Sequence, residues 1–354
     1  YATKISGISN VIHVEAGPYA GYAITSEGYV YGWGSNAALT GTGAANSTPQ
    51  RVLGGGSGEQ YLNNVVQIRT AGQATIALKS NGTVFTWGAL YNTSGKAPLG
   101  GLGGTTNGTA DGTPIKSSST PIQVLQGSTA AGRTGRYLEN VTDVELITQA
   151  DHPTAVTFYA VQNGNTGYWW GISFYGVNSM NWNRFAADSG YEYSNSWVNN
   201  NWSGTEYDNQ KRMIRATVPT RLSNVSNANS TYYNNIAKIR GGFSNAVTQT
   251  TSRAMYTWGY VGTSTGALST QQSAGWQGSP RTAHIGGAIR ADGTVATWGT
   301  ANNNGQLGDG TVTASPSTMS TAGGSASGSL YFGAAATYAT SDTSYSTPLD
   351  EYEE

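Results

Sequence analysis

Acid–base and metal chemistry in proteins depends mainly on histidine, cysteine and clustered carboxylates, and this sequence is sparing with all three. It contains 3 His and no Cys. His13 and His284 lie in strand-like stretches, where a hydrogen-bonded structural histidine is the ordinary role. His152, between Asp151 and Pro153, is expected in a turn. We therefore expect no catalytic residue, no metal and no cofactor, and predict that the protein is not an enzyme.

Two glycine-rich segments were weighed as ligand sites. The segment 100–104 is not followed by a helical pattern, so it supplies no helix N-terminus for a phosphate. The segment 302–310 resembles a calcium loop only faintly, because it offers one carboxylate, Asp309, and lacks the glutamate that closes such a site. Both segments are interpreted as loops.

An aromatic-rich segment at 178–217 is the strongest candidate for recognition. It combines Tyr and Trp with Asn, Ser and Gly, a composition typical of binding loops because rigid amphipathic rings gain contact area at little entropic cost. The alternative is a loop that packs its own aromatic residues over a sheet. The predicted binding residues are Trp182, Tyr191, Tyr193, Trp197, Trp202 and Tyr207.

A repeat supplies the elements that would position such a surface. Five times, an alternating apolar–polar stretch leads through a polar turn into a second alternating stretch that ends in Trp-Gly. Turns such as Asn81-Gly82 and Asp292-Gly293 tolerate the positive φ of a tight hairpin, so each unit is predicted to be a β-hairpin. The five pairs are Trp33-Gly34, Trp87-Gly88, Trp170-Gly171, Trp258-Gly259 and Trp298-Gly299.

A further strand candidate precedes four of the hairpins, so each unit has the three or four strands that a propeller blade requires. These candidates are Val11–Val14, Val65–Ile68, Val144–Ile147 and Ile236–Ile239. We predict an all-β chain: a β-propeller of degenerate repeats, with five firm blades and six or seven open, a shortened sixth lying near 327–333. Residues 1–340 are predicted to form one propeller domain and 341–354 an acidic tail. The repeated Trp residues are expected to fill the wedges between sheets, in preference to forming a sugar-binding ladder.

The last repeat resembles those of the regulator of chromosome condensation family, in which Trp-Gly is followed by Gly-Gln-Leu-Gly and a later Pro. Here these are Trp298-Gly299, Gly305-Gln306-Leu307-Gly308 and Pro316. The first two copies keep Pro49 and Pro121. Their Gly-Gln-Leu-Gly segments are matched to Ala38-Leu39-Thr40-Gly41 and Ala97-Pro98-Leu99-Gly100. The resemblance spans residues 8–318 and implies a seven-bladed propeller, a fold that in this family serves exchange factors of a small GTPase on chromatin.

Charge and composition narrow the function further. Only 10% of residues are charged, and the formal net charge is −1, so neither nucleic acid nor an anionic membrane finds an electrostatic footprint. No apolar stretch approaches the ~18 residues of a membrane-spanning helix. The first residue, Tyr1, is not Met, which is interpreted as support for export.

Two functions therefore compete. The favoured one is a non-enzymatic extracellular structural or adhesive protein, a component of a cell surface, filament or virus particle. Its partners would be copies of itself, other surface or virion proteins, or a host receptor or glycan. The alternative is a soluble protein-binding propeller of the GTPase exchange-factor or inhibitor type.

Overall fold

Strands form nearly all of the regular structure in the computed structural model. It describes residues 4–90, 101–106, 113–127, 137–149, 152–174, 191–193, 213–224, 231–232, 235–241, 245–252, 255–261, 264–266, 271–272, 276–282, 285–290, 295–299, 308, 315–321, 323–324 and 328–329. Within these ranges the helical structure is one 3-10 turn, Gly55–Ser57. No helix in the described part of the chain has the length and apolarity needed to cross a membrane.

The first two sheets have four antiparallel strands each, in the order of the sequence. The strands of the first sheet are β1 Val11–Ala16, β2 Ala20–Thr25, β3 Val30–Gly34 and β4 Asn46–Arg51. Those of the second sheet are β5 Val65–Ala71, β6 Ala74–Lys79, β7 Val84–Ala89 and β8 Ser117–Gln123. The predicted hairpins around the first two turns are thus confirmed as β2–β3 and β6–β7.

The third sheet has five strands in the spatial order β12-β13-β11-β10-β9. They are β9 Val141–Gln149, β10 His152–Gln162, β11 Thr166–Phe174, β12 Tyr191–Tyr193 and β13 Met213–Arg221. A small pair follows, β14 Ser223–Asn224 with β15 Thr231–Tyr232. His152, expected in a turn, is instead the first residue of β10 and pairs with Gln149.

The fourth and fifth sheets repeat the antiparallel pattern. The fourth contains β16 Ile236–Gly241, β17 Asn245–Thr250, β18 Met255–Val261, β19 Ser264–Gly266 and β20 Gln271–Gln272. The fifth contains β21 Trp276–Thr282, β22 Ile285–Arg290, β23 Val295–Gly299 and β24 Ser315–Thr321. A last pair, β25 Gly323–Gly324 with β26 Gly328–Ser329, lies beside the predicted shortened unit. The chain is an all-β propeller of repeated antiparallel sheets.

The five repeated Trp residues occupy one register position in the third strand of their sheets. Each lies opposite the second residue of the preceding hairpin strand, or its equivalent. The facing residues are Gly21, Thr75, Phe158, Ala246 and Gly286. The irregular sequence spacing of the Trp-Gly pairs therefore hides a regular three-dimensional repeat, because the extra residues fall outside the hairpins.

Glycine after each repeated Trp permits a close approach between the hairpin strands. Gly88 has φ +122°, and a Cβ placed on it would lie 2.3 Å from the carbonyl oxygen of Gln73. Gly171 has φ +94°, and a Cβ there would lie 2.3 Å from the carbonyl oxygen of Val156. Any other residue would meet both backbone strain and direct overlap, so glycine is required here.

Successive sheets pack through their first strands: β1 lies against β5, β5 against β9, β9 against β16, and β16 against β21. Tyr22, Leu39 and Trp87 belong to an apolar cluster between the first two sheets. A second cluster runs from the second sheet through the third to the fourth and includes Trp169 and Trp170. The core is thus a row of intersheet layers, as a repeat architecture requires.

We expect Gly88→Ala to lower the free energy of unfolding more than Gly58→Ala does. Gly58 also has a positive φ, +76°, but a Cβ on it would meet nothing within 4 Å. Both substitutions carry a backbone cost of about 1 kcal/mol or more, whereas only the first adds overlap with a carbonyl oxygen. Urea denaturation of both variants measures the difference. Equal losses would contradict the close approach at Gly88.

Candidate protein-binding groove

Each sheet covers the repeated Trp of the sheet that follows it, and Trp87 shows how. Its ring is fully buried. Its Nε1 donates to the Tyr22 hydroxyl at 3.0 Å and to the Leu39 carbonyl oxygen at 2.9 Å, both in the first repeat. The Tyr22 ring meets the Trp87 ring edge-on with centroids 5.8 Å apart, and Gly41 lies against the indole. Burial raises the pKa of the Tyr22 hydroxyl, outweighing its hydrogen bonds to Thr75 and Trp87.

Trp170 is covered in the same way by the second repeat. A Cβ on Gly103 would lie 2.8 Å from Trp170 Nε1, so only glycine fits beneath the ring. Gly103 has φ +88° and its carbonyl accepts from Leu125 N, as Gly41, with φ +70°, accepts from Leu53 N. The second Gly-Gln-Leu-Gly equivalent therefore ends at Gly103. The sequence match that ended it at Gly100 was wrong.

Trp33 lacks this cover. It is half-buried and lines an open groove of about 810 Å³ on the side of the first sheet that faces away from the second. We call this surface the Trp33 groove, and define it by the following lining residues: Ile5, Val11, Val14, Tyr19, Gly21 and Trp33.

Equivalent positions in the other sheets show that this exposure is particular to the first sheet. Val14 is 67% exposed, whereas Ile68 and Val144, at the same register of the second and third sheets, are 0% and 1% exposed. Val11 is 38% exposed, whereas Val65 is 2% exposed. Burying such side chains contributes ~1.5–3 kcal/mol each, so the first sheet leaves substantial apolar surface uncovered.

Charged side chains on the first strands link the sheets in series. Glu15, Arg69, Glu145 and Arg240 share one register position, opposite Tyr22, Ile76, Tyr159 and Val247. Arg69 lies between two carboxylates: its NH1 is 3.8 Å from Glu15 Oε2, and its Nε is 3.6 Å from Glu145 Oε2. The series alternates in sign, so neighbouring sheets attract one another at this position.

A second register position clamps the backbone of the next sheet. Gln67 donates from Nε2 to the Val144 carbonyl oxygen at 3.0 Å and accepts from Val144 N at 3.2 Å. Asp143, at the same position of the third sheet, accepts from Ile239 N at 2.9 Å and from Arg240 NH1 at 2.7 and 2.8 Å. These bonds fix the order and the register of the second, third and fourth sheets.

Sequence reasoning missed these intersheet residues, although a signal exists. Each charge follows, by five positions, an asparagine that stands directly before the first strand: Asn10, Asn64, Asn140 and Asn235. The first three adopt positive φ, from 54° to 58°. An Asn, an aliphatic residue and a charge in fixed spacing would have marked the strand that carries the series.

The predicted aromatic binding residues are only partly described. Tyr191 and Tyr193 lie in β12, which pairs with β13 at Ala216 and Ile214, so part of the segment expected to be irregular is a strand of the third sheet. Trp182, Trp197, Trp202 and Tyr207 lie outside the described residues. The side chains of Trp258 and Trp298 and the residue His284 also lie outside the description.

Comparison with known proteins agrees with this architecture. Residues 11–38 match the family model of the regulator of chromosome condensation (RCC1) repeat. This match falls on the first copy, although sequence analysis ranked the last copy as nearest to the pattern. No curated protein sequence matches the chain.

Solved structures with a similar fold include two eukaryotic proteins. Human WBSCR16 is 17% identical with a TM-score of 0.50, over 88% of this chain and 67% of that one. Prp20p from Saccharomyces cerevisiae, described with its binding to Gsp1p and histones, is 15% identical with a TM-score of 0.41, over 90% of this chain and 78% of that one. Identities this low concern the fold alone. The chain is an RCC1-like repeat β-propeller.

Glu145 gives the intersheet charges a pH signature. Burial raises the pKa of its carboxyl above the ordinary 4.5, although Arg69 and Arg240 lower it. As pH rises, the unfolded chain loses this proton first, so the contribution of Glu145 to the free energy of unfolding is largest below pH 4.5 and falls above it. We expect the stability of the wild type relative to Glu145→Gln to decrease from pH 4 to pH 7 in urea denaturation. A relative stability that increases with pH would contradict this assignment.

Proposed function

We propose that the chain is a protein-binding propeller that acts by association and not by catalysis. The Trp33 groove carries this proposal. It presents a tryptophan, two valines and a tyrosine at positions whose counterparts in the neighbouring sheets are protein-covered where described. A contiguous exposed apolar surface of this kind is typical of interaction sites.

The chemistry of the groove indicates a protein partner. Val11 and Val14 offer aliphatic contacts, and Trp33 offers an indole, the side chain most often found at the energetic centre of protein interfaces. Glu15 adds a carboxylate at the groove edge that is 22% exposed and already 3.8 Å from Arg69 on its other side. A partner that brings apolar side chains and one cation would complement this surface.

Among the described residues the other charged and aromatic groups are engaged within the chain. The Arg51 guanidinium lies 3.9 Å from the centre of the Tyr29 ring and 4.9 Å from that of Tyr61, and its NH2 donates to Asn63 at 2.5 Å. No group of three or more metal-binding side chains lies within the part of the chain that the structure describes. The groove is accordingly the surface on which we base the function.

Of the two functions weighed from the sequence, the soluble protein-binding propeller is better supported, because the repeat match and the fold both point to a binding scaffold. The extracellular structural account rests on composition: with 10% charged residues, the surface relies on hydroxyls and amides. The two accounts differ in what fills the groove, a different protein in the first and a copy of this chain in the second.

Tyrosine labelling tests whether the groove is occupied. Tyr19 in the groove and Tyr29 outside it are 42% and 39% exposed, so they form a matched pair. In the purified chain at low concentration we expect radical labelling of both residues to similar extents. In the protein isolated from its natural source we expect labelling of Tyr19 to fall at least about fivefold while that of Tyr29 is unchanged, because interfaces exclude water. Equal labelling of the two residues in both preparations would refute the proposed function.

A further inference from the structure

The two ends of the row of sheets carry complementary features. At the first sheet Trp33 has no preceding loop to cover it, and Glu15 has a sheet on one side only. At the fifth sheet the sequence Gly305-Gln306-Leu307-Gly308 follows Trp298, and no further Trp follows it in the chain. One indole and one covering loop are thus left over at opposite ends.

The described residues of the fifth sheet match the covering side of the interface. Gly308 has φ +64°, in the range of Gly41 and Gly103, the two glycines that lie beneath Trp87 and Trp170. A residue at this place must be glycine both for its φ and for the ring above it. Gly308 therefore has the backbone conformation of a residue that covers an indole.

Arg281 extends the charge series with the sign that Glu15 requires. It pairs with Gly287 in β22, which is the counterpart of Tyr22, Ile76, Tyr159 and Val247 in the earlier sheets. Arg281 consequently holds the register position of Glu15, Arg69, Glu145 and Arg240. A fifth sheet placed before the first would set Arg281 beside Glu15 and continue the intersheet attraction.

From these observations we infer that the Trp33 groove binds the fifth sheet of a second copy of the chain, in a head-to-tail contact with Arg281 beside Glu15 and the Gly305–Gly308 loop over Trp33. This inference rests on the proposed function and names its partner. The occupant is a second copy because β21 lies against β16 and β17 of its own chain, while Val14 of the same chain remains uncovered. Such a contact joins unlike surfaces, so copies form rings or filaments.

Two variants, each blocking one end, test the contact. Val14→Lys places a charge in the groove at a residue that is 67% exposed, and Arg281→Glu reverses the charge of the fifth sheet. We expect the wild type to associate with increasing concentration and each variant to associate at least about tenfold more weakly, since like charges at an interface are repulsive. Val66→Lys, on β5 outside the groove and 52% exposed, is the control that associates like the wild type.

Mixing the two blocked variants gives the decisive measurement. The Arg281→Glu copy keeps an intact groove and the Val14→Lys copy keeps an intact fifth sheet, so together they can form one good contact. Native mass spectrometry with one variant isotopically labelled should show a heterodimer of two 36.9 kDa chains and no larger species. Melting curves identify any variant that is unfolded; for such a variant Glu15→Arg or Gly308→Val replaces it.

A wild type that stays monomeric, or blocked variants that form no heterodimer, would overturn the head-to-tail contact. If both blocked variants are monomeric and less stable than Val66→Lys, the fifth sheet closes on the groove within one chain. Protection of Tyr19 in the natural material together with a monomeric purified chain would leave the proposed function in place with a different protein as partner. Failure of the inference and failure of the proposed function are therefore separate results.

Discussion

The covering of one sheet's tryptophan by the loop of the sheet before it is the interaction on which this structure depends. Trp87 is enclosed by Tyr22, Leu39 and Gly41, and Trp170 by Gly103. Each contact buries a large ring and satisfies part of the loop backbone. Because the loop always comes from the preceding sheet, the interaction has a direction, and every additional sheet reproduces one indole to be covered and one loop that covers.

The charge series gives this directional packing its order. Apolar layers alone would let a sheet slide or exchange places with its neighbour, since aliphatic contacts are not strongly directional. Alternation of Glu15, Arg69, Glu145 and Arg240 penalises an exchange that brings like charges together, and Asp143 holds both Arg240 and the backbone of Ile239. The raised pKa of Glu145 shows that burial of this charge is costly, so its value lies in specifying the arrangement of sheets more than in stability.

Local sequence signals were sufficient for the elements but not for their contacts. Alternating residues around Asn81-Gly82 specify a hairpin because the turn chemistry and the strand period lie within a dozen residues. The glycine beneath Trp170 was misplaced from Gly103 to Gly100 because its role depends on a ring 67 positions further along the chain. The intersheet charges were overlooked for a similar reason: a lone Glu or Arg in a strand gains its meaning only from a residue of the next sheet. His152 was misassigned because proline after it suggested a turn, whereas proline is tolerated at the start of a strand.

Unlike ends have a consequence that does not depend on the identity of the partner. A row of sheets that presents an uncovered indole at one end and an uncovering loop at the other cannot be satisfied by two-fold pairing of like surfaces, so its apolar end needs a loop-bearing surface from elsewhere. The near-neutral chain, with a net charge of −1, offers no long-range repulsion against a second copy. Specificity must then come from the contact itself, and the sign of Glu15 supplies it: an approaching sheet that carries a carboxylate at the shared register position is rejected, whereas one that carries Arg281 is accepted. The residue that orders the sheets inside the chain is therefore also the residue that selects what may be added to it.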